Sequence, residues 1–121
     1  MKRDMDLIKA ILLESEKACR PGAYYQPEAY SFRDLQADEE TLQEHCRLIA
    51  ERGLANGTLT REGWRFSSLT WDGHDFLDNA RNDSVWRAAK DAAGRFSFGV
   101  FTATLTEAAK AAALKALEKV F

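Results

Sequence analysis

Over the first eighteen residues the apolar positions recur at the period of a helix. Met5, Ile8, Ile11, Leu12 and Ser15 fall on one stripe between about Arg3 and Ala18, with charged residues opposite, and this predicts an amphipathic helix. Arg20-Pro21-Gly22 ends it, because proline disfavours helix in the residue before it and glycine permits a turn. The next segment, AYYQPEAYSFRDLQA, follows neither a helical nor a strand period. It predicts an irregular or short extended connector with one helical turn at Phe32 to Leu35. From Asp38 to Arg52 the helical period returns, with Leu42, Cys46 and Ile49 on one face and His45 and Leu48 beside it. Asp38, Glu39 and Glu40 suit the positive end of a helix dipole, and Gly53 follows as a C-cap residue.

After Gly53 the period changes to two. Thr58-Leu59-Thr60 and Trp64-Arg65-Phe66 flank Arg61-Glu62-Gly63, which predicts a hairpin whose second strand continues through Ser67, Ser68 and Leu69 to Thr70. Asn56-Gly57 is a competing turn signal, so the register stays open. Thr70 can cap a helix beginning at Trp71. In LTWDGHDFL, residues 69–77, Asp72 and Asp75 then lie near the positive helix end, and Phe76, Leu77 and Ala80 form an apolar face. His74 and Asp78 are spaced as an i,i+4 pair. Gly73 costs helix propensity, which marks it as a point of close packing against another backbone. A pause follows at Asn82-Asp83-Ser84, with Ser84 as the cap of a turn carrying Val85, Trp86 and Ala89, and Ala92-Ala93-Gly94 closes that segment.

Ser97 starts the longest helix. Glu107, Lys110, Lys115, Glu118 and Lys119 make a narrow polar stripe, while Phe101, Leu105, Ala108, Ala109, Ala112, Leu117, Val120 and Phe121 spread round the other sides. A helix apolar on more than one side has more than one packing partner. The expectation is that it covers the core on one side and forms a homodimer on another. The fold class is therefore mainly α with a small β-hairpin (α+β). Of the three tryptophans, Trp71 and Trp86 are expected in the core and Trp64 partly exposed on the hairpin.

Composition narrows the classes of activity. The 121 residues suit one domain. With 17 basic and 19 acidic residues the net charge is −2, so no global field draws the chain to nucleic acid or an anionic membrane. The N-terminal apolar run is broken by Asp6, Lys9 and Glu14, which argues against a signal peptide or a membrane span. Two cysteines, Cys19 and Cys46, give no disulfide framework, and a cytoplasmic location is expected.

Candidate chemistry is sparse. Zinc sites draw ligands from recurrent pairs such as C-x-x-C, whereas here Cys19, His45, Cys46 and His74 are scattered, and neighbours on a helix such as His45 and Cys46 point about 100° apart. No phosphate-binding glycine loop or nucleophile motif occurs. No metal, no cofactor and no enzymatic activity are expected. In LTWDGHDFL every residue but His74 has a structural duty.

The order helix, connector, helix ending in GL, hairpin, LT and glycine-bearing helix resembles a winged-helix domain. LQEHCRLIAERGL then corresponds to the recognition helix and its exit, and LTWDGHDFL to the last wing strand entering the next helix. The resemblance implies a winged-helix-like core over residues 1–96 and a packing or dimerisation helix over 97–121, within one structural domain. MKRDMDLI, EHCRLIAERGL and LTWDGHDFLDNARNDSVW together also resemble a family of small bacterial and phage proteins catalogued as a domain of unknown function. That likeness implies a prophage origin and carries over no site residue.

If such a domain reads double-stranded DNA, Gln43, His45 and Arg47 of helix 38–52 would reach bases, and Arg61 and Arg65 of the wing 58–66, with Arg33, would hold phosphates. Against this, the helix carries five acidic residues (Asp38, Glu39, Glu40, Glu44, Glu51) and two basic ones (Arg47, Arg52), the wrong sign for phosphate. The segment before it is also too short and proline-broken for an obvious first helix of a helix-turn-helix. The first expectation is accordingly a non-enzymatic binding module or small regulator that meets a host or phage protein. Its interface would draw on Tyr24, Tyr25, Tyr30, Glu40, Glu44, Phe101 and Leu105. A sequence-specific DNA-binding regulator is the alternative.

Overall fold

The computed structural model describes residues 2–94 and 96–120. Five α-helices and one antiparallel hairpin follow in order: α1 (Met5–Ala18), a 3-10 segment (Ala29–Leu35), α2 (Glu39–Arg52), β1 (Ala55–Thr60), β2 (Gly63–Leu69), α3 (Trp71–Ala80), α4 (Asp83–Ala93) and α5 (Phe98–Val120). The molecule is mainly α with a small β-hairpin, as the change of hydrophobic period predicts. Phe121, assigned to the last helix from its sequence, lies outside the described residues. No described helix is long and apolar enough to cross a membrane.

The chain divides into two compact units, Met1–Leu77 and Asp78–Phe121, with the division inside α3. In the first, α1 buries Ile8, Ile11, Leu12 and Ser15 of the expected stripe together with Leu7, while Met5 is only half-buried, and α2 buries Leu42, Cys46 and Ile49 as expected. Phe32, Phe66, Leu69, Phe76 and Leu77 are buried as well. In the second unit, Val85, Trp86, Ala89 and Ala93 are buried on α4. The Trp86 ring meets Phe101 of α5 edge-on at 5.3 Å between centroids.

Local capping explains the boundaries. The Asp4 side chain accepts from the Asp6 and Leu7 amides and starts α1. The Asp38 carboxylate accepts from Thr41 N–H at 2.8 Å and starts α2, and Gly53, at φ 76°, closes it. Thr60 pairs with Gly63, so the hairpin turn is Arg61-Glu62 and Gly63 takes φ 116°, a conformation glycine tolerates and side chains resist. The competing Asn56-Gly57 signal does not form a turn. It marks an irregularity in β1, where the register shifts between those two residues. Asn82, not Ser84, caps α4: its Oδ1 accepts from the Ser84 and Val85 amides. The connector is extended enough for Tyr25 to exchange two backbone hydrogen bonds with Phe66, at 2.9 and 2.8 Å, on the side of β2 away from β1.

The junction at Thr70 is built as a clasp. Its N–H donates to Leu54 O at 3.1 Å, its hydroxyl donates to Gly53 O, and the same hydroxyl accepts from Gly73 N–H at 3.0 Å. A Cβ on Gly73 would lie 1.9 Å from Leu54 O, so the close backbone approach expected at this glycine is real. Trp71 corrects the sequence reading. It is 86% exposed and not core, because at 100° per residue it sits about 160° round the helix from Gly73, on the side opposite Phe76 and Leu77.

Candidate functional site

The surface to weigh is α2 with the hairpin and connector that flank it. The charged and amide groups of α2 that were expected to reach DNA are largely engaged within the fold. His45 has no exposed surface. Its Nε2 accepts from Asp4 N–H at 2.9 Å, which leaves Nδ1 as the donor to Thr41 O at 2.8 Å. It therefore ties the start of α1 to α2, which corrects its assignment to base contact. Gln43 is used at both ends of its amide: Oε1 accepts from Trp64 N–H at 2.8 Å and Nε2 donates to Glu39 at 3.0 Å. Arg47 lies between two carboxylates, with Nη2 2.9 Å from Glu44 Oε2 and Nη1 2.6 Å from Glu51 Oε1. Hydrogen bonding to Arg47 holds the Glu44 carboxyl below its ordinary range, and the two carboxylates push the guanidinium's proton affinity up.

The remaining basic candidates are dispersed. Arg61 is exposed at the hairpin turn. Arg65 stacks on the Tyr24 ring at 4.4 Å, with its Nε buried and without a hydrogen-bond partner. Arg33 is exposed on the 3-10 segment and its Nε donates to Tyr30 O at 3.2 Å.

Among the residues expected at a protein interface, Tyr24, Tyr30 and Glu40 are exposed. Tyr25 is half-buried, and burial pushes its phenol up. Phe101 and Leu105 are buried, so their assignment to an interface is corrected: they are core side chains of α5. Trp71 and Leu59 were missed as surface groups, and both are exposed. The helical angle between Trp71 and the Gly73, Phe76, Leu77 stripe was the available signal.

His74 reaches a cleft of about 440 Å³ lined also by Glu16, Cys19, Arg20, Tyr24, Ser67 and Ser68. Its Nδ1 lies 3.9 Å from Glu16 Oε2 of α1, and this contact, not Asp78, is the charged partner the structure records for it. The Cys19 thiol donates to Phe66 O at 3.4 Å, and burial raises it. Cys46 is more deeply buried and is pushed up to about 12. Both shifts oppose thiolate formation, on which nucleophilic attack depends.

An uncharacterized protein of Haemophilus influenzae is 34% identical over 94 residues, covering 74% of this chain and 76% of the relative. No solved structure matches the chain. A family model described as "Hypothetical protein (DUF2513)" matches residues 2–98, from the segment before α1 to the first residue of α5. The chain belongs to that family.

Proposed function

We propose that the chain is a non-enzymatic winged-helix binding module of bacterial or prophage origin, acting as a small regulator through a protein partner. The observation that carries this reading is the state of α2. Its Gln43, His45 and Arg47 are occupied by Trp64 and Glu39, by Asp4 and Thr41, and by Glu44 and Glu51. What α2 exposes is mainly carboxylate, Glu39, Glu40 and Glu51, with Arg52 at its C-terminal end. An acidic helix, together with the exposed Tyr24, Tyr30 and Trp71 of the same unit, suits a basic protein with apolar pockets, since aromatic anchors and complementary charge are the means by which such surfaces bind. The raised thiols speak against a cysteine nucleophile.

A DNA-binding regulator is the second reading, and one observation favours it. The Tyr25 to Phe66 pairing is a single β-bridge between α1 and the 3-10 segment, so that helix, bridge, helical turn, helix and hairpin follow in an order like that of a winged helix. The two readings separate in a titration of mixed-sequence duplex DNA at low salt, followed by fluorescence anisotropy. No binding by the wild-type chain, with capture of a defined basic protein that Glu40→Lys/Glu44→Lys abolishes, is the expected result. DNA binding that weakens steeply with salt would replace it with the second reading.

A further inference from the structure

The face of α5 turned away from Phe101 and Leu105 has a pattern of its own. Val100, Ala103, Glu107, Lys110, Leu114 and Leu117 recur at alternating spacings of three and four residues, the seam spacing of a coiled coil. Val100, Leu114 and Leu117 are 46%, 61% and 53% exposed, unusual for large apolar side chains aligned on one face. Near the N-terminal end of this face, Gly99, Thr102, Ala103, Thr106 and Glu107 line a shallow groove of about 370 Å³. The two leucines stand at one end of the stripe and the smaller Val100 and Ala103 at the other, with one acid and one base at its centre.

That arrangement is complementary to itself in one orientation. In an antiparallel pair each first seam position faces a second seam position of the other helix. With the axis between residues 108 and 109, Leu117 faces Val100, Leu114 faces Ala103 and Lys110 faces Glu107. In a parallel pair Glu107 would face Glu107 and Lys110 would face Lys110, two repulsive layers at the centre. Polar seam residues choose between such alternatives by their charge.

We propose that α5 docks antiparallel on α5 of a second copy of this chain about a two-fold axis between residues 108 and 109. The overlap from Val100 to Leu117 spans roughly 26 Å at 1.5 Å per residue. Glu107 and Lys110 are 3.7 Å apart within one chain, and across the axis each gains a second opposite charge. The groove around Ala103 receives Leu114 of the other copy, so bulk meets space in both halves of the seam. This interface uses no residue of α2, and its failure would leave the proposed function standing.

Sedimentation equilibrium on the full chain tests it. The wild type should populate dimer with rising concentration, and Glu107→Lys or Lys110→Glu should weaken dimerisation at least tenfold. The double variant Glu107→Lys/Lys110→Glu should restore it, since both opposite-charge layers are rebuilt. Circular dichroism on each variant separates lost pairing from lost helix. Orientation is read by oxidation: Ala103→Cys/Leu114→Cys should form a covalent dimer, and Leu114→Cys alone should not, because antiparallel pairing holds the two copies of position 114 about 16 Å apart along the axis. The proposal is overturned by a wild type that stays monomeric at all concentrations, by a dimer indifferent to Glu107→Lys, or by a covalent dimer through Leu114→Cys alone.

Discussion

Two residues in the first turn of α3 show how little a residue's type says about its place. Gly73 has no side chain, yet its position is the more constrained, because Leu54 O occupies the space a Cβ would need. Gly73→Ala should lower stability by about 3 kcal/mol, the upper range for overpacking, as read from the denaturant midpoint. Trp71 carries the largest side chain in the same turn and is exposed. Trp71→Ala should shift the same midpoint by no more than about 0.5 kcal/mol, the usual range for surface substitutions. A large loss in that variant would place the ring in a core. The role of Gly73 was legible because a glycine inside a helical pattern demands a reason, and close approach is the physical one. Trp71 was misread by applying the habits of tryptophan in place of the angle its position takes on the wheel. Thiol chemistry belongs to this scale too. Cys46, pushed up to about 12 by burial, should resist alkylation at mildly alkaline pH in the folded chain and react fully once it is unfolded. Rapid native labelling at Cys46 would contradict its place in the core.

At the scale of an element, α2 is where sequence reading went furthest and where its stopping point is clearest. Its limits, cap and apolar stripe follow from local chemistry, so they were legible. The pairing of Arg47 with Glu44 and Glu51 was also there to be read, since the residues stand at i−3 and i+4. The duty of His45 was not, because its partner Asp4 is 41 residues away and only the packing of α1 on α2 brings them together. The hairpin divides the same way: its strands announce themselves by period, while the choice between two turn signals is made by register across the sheet. Two carboxyls of α2 give the element a pH dependence. Hydrogen bonds to Thr41 hold Asp38 below its ordinary value, and Arg47 does the same for Glu44. Groups whose folded value is depressed contribute stability that is present above the unfolded value and lost as pH falls through the folded one. The denaturant midpoint should therefore fall on acidification below the usual carboxylate range. Asp38→Asn/Glu44→Gln should flatten that decline, and an unchanged decline would assign it to other groups.

For the whole molecule, the net charge of −2 is too small to decide what the chain binds, so the decision falls to local surfaces. The two surfaces on which the proposals rest are the acidic α2 and the outward stripe of α5. The sequence located both helices but placed Phe101 and Leu105 at the interface with a protein partner, and the fold buries them. Apolar content marks a helix as having two partners without saying which face each one takes. On α2 the test of whole-molecule electrostatics is to undo the neutralisation of Arg47. Glu44→Gln/Glu51→Gln frees the guanidinium and moves the net charge from −2 to 0. If the scaffold is a winged helix whose recognition helix has been turned from DNA by its own carboxylates, this variant should gain weak DNA binding at low salt that the wild type lacks. Each phosphate newly neutralised contributes about −0.9 to the slope of log affinity against log salt. Anisotropy titrations of both proteins at several salt concentrations measure that slope. A variant as inert as the wild type would mean that the helix and hairpin do not present a DNA-docking face at all.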